Sequence, residues 1–211
     1  MLKLYNYYRS SASFRVRIAL NLKKIAYEDI PIHLLNNGGE HYSAEYQTIN
    51  PQSLVPTLQD GEKIMTQSLA IIEYLDELQP LPPLLPSDIY HKALVRAFAL
   101  NIIADMHPLN NLRVLKFLTQ ELDVSEEKKM HWYHHWITKG LTALEKQIVS
   151  LKLADDFCFG SSPTLADICL VPQLYNAQRF ACDISAYPTL IRIDAHCQTL
   201  SAFTDAWPQE P

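Results

Sequence analysis

The 211-residue sequence contains no run of 18 apolar residues, so nothing in it reads as a membrane-spanning helix. Its opening segment, MLKLYNYYRS, lacks the apolar stretch of a secretory leader and alternates as a strand does. It is therefore read as part of the fold, and the expected compartment is the cytoplasm. There is no CxxC spacing: Cys158, Cys169, Cys182 and Cys197 lie far apart in the second half, which suits buried, reduced thiols better than a zinc site or disulfides. No basic block stands out against a formal net charge of −5, which argues against nucleic acid as a partner. Internal repeats and low-complexity segments are also missing.

What is present is 48% hydrophobic residues, enough for one sizeable core or two smaller ones. The stretch QPLPPLLPSD, residues 79–88, places four prolines where neither a helix nor a ladder could continue, so it marks a boundary. The expected organisation is a first domain over residues 1–80, a linker over 81–87 and a second domain over 88–211. In the first, LKLYN reads as a strand, Ser13 to Leu22 as a helix and AYEDIPI as a second strand, which implies a parallel pair with a right-handed crossover. LVPTL and EKIMT follow as short strands around the turn signal QDGE, then a helix from about Ser68 to Leu78. Beyond the linker, Tyr90 to Leu122 and Glu126 to Leu151 carry apolar residues at helical spacing, with Pro108 expected to kink or restart the first pattern. Shorter helices are expected over Leu165 to Phe180 and Tyr187 to Thr199, so the fold class is an α/β domain followed by an all-α domain.

Three places in the first domain have the chemistry of a ligand site. In RSSASFRVRIAL, Ser10 and Ser11 fall between the first strand and the first helix, where free amides and the helix dipole favour an anion or thiolate. A hydroxyl there that lowers a thiol pKa by about 2 units raises its ionised fraction at neutral pH roughly 25-fold, worth about 2.7 kcal/mol. The structural alternative is a helix cap worth ~1 kcal/mol. In NPQSLVPTL, a cis bond between Val55 and Pro56 would open the Val55 amide and carbonyl to an extended peptide ligand, although trans is the ordinary expectation. In TQSLAII, Gln67 and Ser68 precede an apolar helix, with Ser68 as a candidate N-cap and the free amides as a carboxylate site.

In the second domain, HPLNNLRVL offers His107, Asn111 and Arg113, the first two expected to share a helix face. Arg179 in NAQRF carries a planar fork suited to a carboxylate. HWYHH has His131, His134 and His135 at helical spacing but no acidic neighbour, so no metal is expected. Thr164 and Asp167 match a capping box.

Taken in order, RSSASFRVRIAL, NPQSLVPTL, QSLAIIEYL, HPLNNLRVL and PTLADICLVPQ with NAQRF resemble the glutathione transferases over essentially the whole chain, and most closely the zeta class that contains maleylacetoacetate isomerase. The resemblance implies a thioredoxin-like N-terminal domain that binds glutathione as cofactor, an all-α C-terminal domain and a homodimer. It implies that Ser10 steadies the glutathione thiolate, with Ser11 and Arg15 beside it as catalytic residues. Glutathione contacts would also come from His41, where zeta members often have Gln, and from Val55, Gln67, Ser68, His107, Asn111, Leu112 and Arg113. Arg15, His107, Arg113 and Arg179 would receive a small unsaturated diketo acid. The class commonly reads SSC where this chain reads SSA, so Ala12 removes any mechanism needing a protein cysteine at that place, and Phe14 replaces the usual Trp. The implied activity is glutathione-dependent cis–trans isomerisation of maleylacetoacetate. The alternatives are maleylpyruvate isomerisation, glutathione transfer to α-halo acids and, from another class, a non-catalytic binding module.

Overall fold

The computed structural model describes residues 1–209. The chain divides into two compact units, residues 1–83 with 199–211, and residues 84–198.

The first unit is built on a four-stranded sheet of order β2-β1-β3-β4, comprising β1 (Leu2–Asn6), β2 (Tyr27–Pro31), β3 (Thr57–Asp60) and β4 (Lys63–Thr66). β1 and β2 are parallel, with Leu4 opposite Asp29, because α1 (Ser11–Lys23) supplies the crossover between them. β3 runs antiparallel to β1 and pairs with β4 across a turn in which Gly61 takes a φ of 59°, a conformation glycine adopts without a Cβ penalty. Leu2, Leu4 and Leu58 from the sheet are buried in this unit together with Phe14, Ile18 and Leu20 of α1 and Ile71, Ile72 and Leu75 of α3 (Ser68–Leu78). Full burial of each such side chain contributes roughly 1.5–3 kcal/mol.

α1 is buried on nearly every side, and three of its buried residues are cationic: Arg15, Arg17 and Lys23. Lys23 is paired with Asp76 of α3, and the two arginines are engaged as described below. A buried charge persists only when it is paired or hydrogen-bonded. A short helix, α2 (Ala44–Ile49), capped by the Ser43 hydroxyl, lies between β2 and β3 where the sequence pattern gave no helix.

The second unit is all helical: α4 (Ile89–Leu100), α5 (Leu112–Gln120), α6 (Glu126–Leu151), α7 (Leu165–Arg179) and α8 (Pro188–Cys197). Of the two outcomes expected over Tyr90 to Leu122, a kink or a restart at Pro108, the restart is the one found. α4 passes into a π-helical stretch, Asn101–Met106, then a 3-10 turn, Pro108–Asn110, and α5 starts afresh. Pro108 has no amide to donate, which accounts for the break. Gly140 of α6 explains how the π stretch packs, since a Cβ there would sit 2.3 Å from the Met106 methyl carbon. The capping box is formed: Thr164 Oγ1 accepts from the Ala166 amide, and Asp167 Oδ2 accepts from the Thr164 amide at 2.8 Å. All four cysteines are free and buried.

A last helix, α9 (Ser201–Thr204), packs on α1, so the end of the chain belongs to the same compact unit as the sheet. The helical domain expected over residues 88–211 therefore extends only to residue 198, and the segment from Thr199 returns to the first unit. The return is driven by Phe203 and Ala206, which bury fully, and by Trp207, whose ring meets Phe14 edge-on at 5.6 Å.

Candidate active site

Ser10 is the N-cap of α1: its backbone is extended (φ −70°, ψ 118°) and its Oγ accepts from the Ser13 amide at 3.2 Å. Accepting that bond uses a lone pair and leaves the O–H to donate elsewhere. Capping and donation to a ligand are therefore compatible roles for one hydroxyl. Ser11, the first helical residue, is buried, and the amides of Ser11 and Ala12 are first-turn donors that the helix itself cannot satisfy. The first turn contains no acidic side chain, so the positive end of the dipole is not neutralised locally.

Arg15 lies one turn further along and is 1% exposed. Its Nη1 donates to Ser68 Oγ at 3.4 Å, bringing a buried guanidinium to the N-terminus of α3. Ser68 is not the N-cap that its sequence position suggests. Gln67 holds the cap position in a left-handed conformation (φ 71°, ψ 116°), and Ser68 is the first helical residue, its hydroxyl accepting from Arg15 instead of from the helix. Gln67 is exposed, and its amide donates to Oε1 of Gln52, a residue of NPQSLVPTL, at 3.0 Å.

The Val55–Pro56 bond is cis, against the ordinary expectation, as is Leu81–Pro82. The loop before β3 is fixed by Tyr46 and Asn50, which both donate to the Leu54 carbonyl, at 2.7 and 2.8 Å, and meet Thr57 Oγ1. Burial pushes the Tyr46 hydroxyl above its ordinary pKa, so it remains a neutral donor. His41 is buried, its ring 3.9 Å from that of Tyr42 and tight against Gly39, where any Cβ would fall 2.5 Å from the imidazole. The first unit thus brings Arg15 and Ser68 into direct contact, while Ser10, Ser11, His41, Val55 and Gln67 are each held by their own local structure.

In the second unit, His107 and Asn111 do not share a helix face. His107 closes the π-helical stretch, and Asn111 is extended (φ −65°, ψ 147°) as the N-cap of α5, its Oδ1 accepting from the Arg113 amide at 3.1 Å. Leu112 opens α5, and the Arg113 side chain is exposed. Arg179, exposed at the end of α7, donates to Asn176 Oδ1 at 3.4 Å and stacks 4.7 Å from the Phe180 ring. Asn176 donates in turn to Tyr133 Oη at 2.8 Å, a phenol held protonated chiefly by burial. Two histidines of HWYHH have structural occupations: His134 Nε2 meets the Phe180 carbonyl at 2.8 Å and His135 packs edge-on against Trp136. Among the described residues, no three His, Cys, Asp or Glu side chains are grouped to hold a metal ion.

The glutathione S-transferase N-terminal domain family matches residues 4–83. A probable maleylacetoacetate isomerase of Vibrio cholerae is 50% identical over 98% of this chain and 95% of that protein. The holo structure of a maleylpyruvate isomerase, described as a bacterial zeta-class glutathione S-transferase, superposes with a TM-score of 0.94 at 42% identity, covering 98% of this chain and 96% of that one. A maleylacetoacetate isomerase of Methylobacterium extorquens with bound malonate and glutathione gives 0.95 at 37% identity, covering 99% and 98%. Likeness over the whole length assigns the family, and the serine cap of α1 and the Arg15–Ser68 contact agree with it: the chain belongs to the glutathione transferases, in the zeta class of maleylacetoacetate and maleylpyruvate isomerases.

Proposed function

We propose that this protein is a glutathione-dependent cis–trans isomerase whose substrate is maleylacetoacetate, a small unsaturated diketo acid. The observation that carries the reading is Ser10, whose oxygen accepts from the Ser13 amide and so directs its remaining proton away from the helix. Bound glutathione supplies a thiolate that adds to a conjugated cis double bond and leaves once the bond has rotated, so it returns unchanged. No cysteine is needed from the chain, in keeping with Ala12 and with four cysteines that are all buried.

The chain's own residues fit that cofactor by their chemistry. The Ser10 hydroxyl and the Ser11 amide donate to the thiolate, holding it ionised at neutral pH. Arg15, buried against Ser68, offers a fixed cation beside free helix amides, which suits the carboxylate end of the γ-glutamyl group, and Gln67 adds a polar side chain there. Val55 supplies backbone pairing, and His41 a ring nitrogen. Of the second unit's residues, His107, Asn111, Leu112 and Arg113 are assigned to glutathione, with His107, Arg113 and Arg179 as polar and cationic groups for the substrate's carboxylates. With Arg15 engaged at Ser68, Arg179 and the His107 segment are the candidates to stabilise negative charge that develops on the substrate's ketone oxygen. The domains are accordingly a glutathione-binding unit and a helical substrate unit, and the working form is a cytoplasmic homodimer.

Maleylpyruvate is the second reading, favoured by the likeness to the maleylpyruvate isomerase structure. The test is to supply glutathione with each substrate separately and follow loss of the cis chromophore. Faster turnover of maleylacetoacetate is expected. Inactivity on both, with glutathione bound, would overturn the isomerase assignment.

A further inference from the structure

We propose that Arg17, a residue of RSSASFRVRIAL to which neither the ligand reading nor the family resemblance gives a role, is a positioning residue for the thiolate site: its guanidinium ties the returning segment of the chain to the turn that delivers Ser10. The proposal rests on the function just given, in which Ser10 acts on the glutathione thiolate.

Arg17 is 8% exposed, and its planar fork donates to three acceptors among the described residues. Nη2 donates to the Tyr8 carbonyl at 2.9 Å and to the Ala206 carbonyl at 3.0 Å, Nε donates to the same Ala206 carbonyl at 3.1 Å, and Nη1 donates to Asn6 Oδ1 at 2.8 Å. Asn6 ends β1 and its side-chain amide is in turn held by Asp29 of β2. Tyr8 lies inside the short β1–α1 turn, which is closed by the Ser10 amide donating to the Tyr7 carbonyl at 2.9 Å. One side chain therefore fixes the end of β1, the middle of the turn and residue 206, and Ser10 is two residues from its nearest anchor.

Apolar packing by Phe203, Ala206 and Trp207 brings the segment back, and the hydrogen bonds to Arg17 set its register against the turn. Between the returning segment and the β2 edge lies a cavity of about 240 Å³ whose lining includes Arg17, Tyr8, Asp29, Asp205 and Trp207. Where the segment borders that gap, hydrogen bonds to Arg17 add directional anchoring to the contact of Trp207 with Phe14. A lysine would present a single ammonium, not a planar fork, to three acceptors set in different directions. Asn21, one helical turn further along α1, provides a control, since its amide donates to the Ala202 carbonyl at 3.1 Å and touches the same segment without reaching the turn.

The experiment titrates the thiol of bound glutathione by thiolate absorbance in the full-length protein, beside its steady-state kinetics. Arg17→Met is expected to raise the apparent thiol pKa by about 1 unit, a tenfold loss of thiolate below the pKa, with kcat falling and KM for glutathione nearly unchanged. Arg17→Lys is expected to recover less than half of the shift, and Asn21→Ala to leave the pKa in place. An unshifted pKa in folded Arg17→Met overturns the proposal, as does full recovery by lysine or an equal shift in Asn21→Ala. Should Arg17→Met fail to fold, Arg17→Lys decides alone, and a wild-type pKa in it counts against the proposal. An unlowered thiol pKa in the wild-type protein would sink the functional reading itself, and this inference with it.

Discussion

The two compact units hold their polar residues for different ends. In the first, polar groups gather around α1 and the start of α3: half-buried Ser10 caps α1, buried Arg15 reaches Ser68, and buried Arg17 binds two backbone segments. In the second, the most deeply buried carboxylate, Asp167, is spent on the chain itself, while Arg113 and Arg179 are exposed. On the proposed function the difference has a reason: donors that ionise a thiol gain from being unable to reorganise, whereas cations proposed to meet an organic acid lose little by being exposed.

Removing Asp167 should give the largest effect. Its two oxygens accept from the amides of Cys158 and Thr164, at 2.7 and 2.8 Å, and from the Thr164 hydroxyl at 2.9 Å. Asp167→Ala leaves buried donors without partners, at roughly 1–3 kcal/mol each, so chemical denaturation should report a loss of about 3–5 kcal/mol. Activity per folded molecule should persist. Ser10→Ala should do the reverse, lowering kcat/KM by about 10- to 100-fold, or ~1.4–2.7 kcal/mol of transition-state stabilisation, with unfolding free energy down by only about 1 kcal/mol.

Asp194 of α8 makes the contrast pH-dependent. Burial pushes its carboxyl up to about 6, Gln198 donates to one oxygen, and the other is without a partner among the described residues. Because the folded state binds this proton more tightly than the unfolded one, stability falls as pH rises from about 4 to about 6 and stays reduced above that range. Asp194→Asn should therefore stabilise the protein by on the order of 1–3 kcal/mol at pH 8, and by almost nothing near pH 4. Thermal unfolding at the two pH values reads this directly. The smallest effect belongs to the exposed Arg179, where Arg179→Lys should raise KM for the organic acid about threefold to tenfold, under 1.4 kcal/mol, without altering KM for glutathione.

The sequence was most legible where a few neighbouring residues decide the outcome. The capping box at Thr164 and Asp167, the parallel crossover through α1 and the serine cap at Ser10 all follow from short-range chemistry. Ser68 misled because capping also depends on the residue before it, and the left-handed Gln67 took that place. The His107–Asn111 face failed because a proline and an extended asparagine separate two helices that a periodic count joins. α2 was missed because six residues are too few for a periodic signal. Arg17 could not be found at all, since its partners at Tyr8 and Ala206 are backbone carbonyls, one of them 189 residues away. Backbone acceptors leave no mark in the sequence.

The central claim is that the reacting sulfur comes from glutathione and is returned. The most direct test gives the enzyme a large excess of maleylacetoacetate with a small, measured amount of glutathione, then counts trans product and remaining free thiol. Complete conversion with all of the thiol recovered is the result this account predicts. Product limited to one molecule per glutathione, with the thiol consumed, would contradict it and make the protein a conjugating transferase.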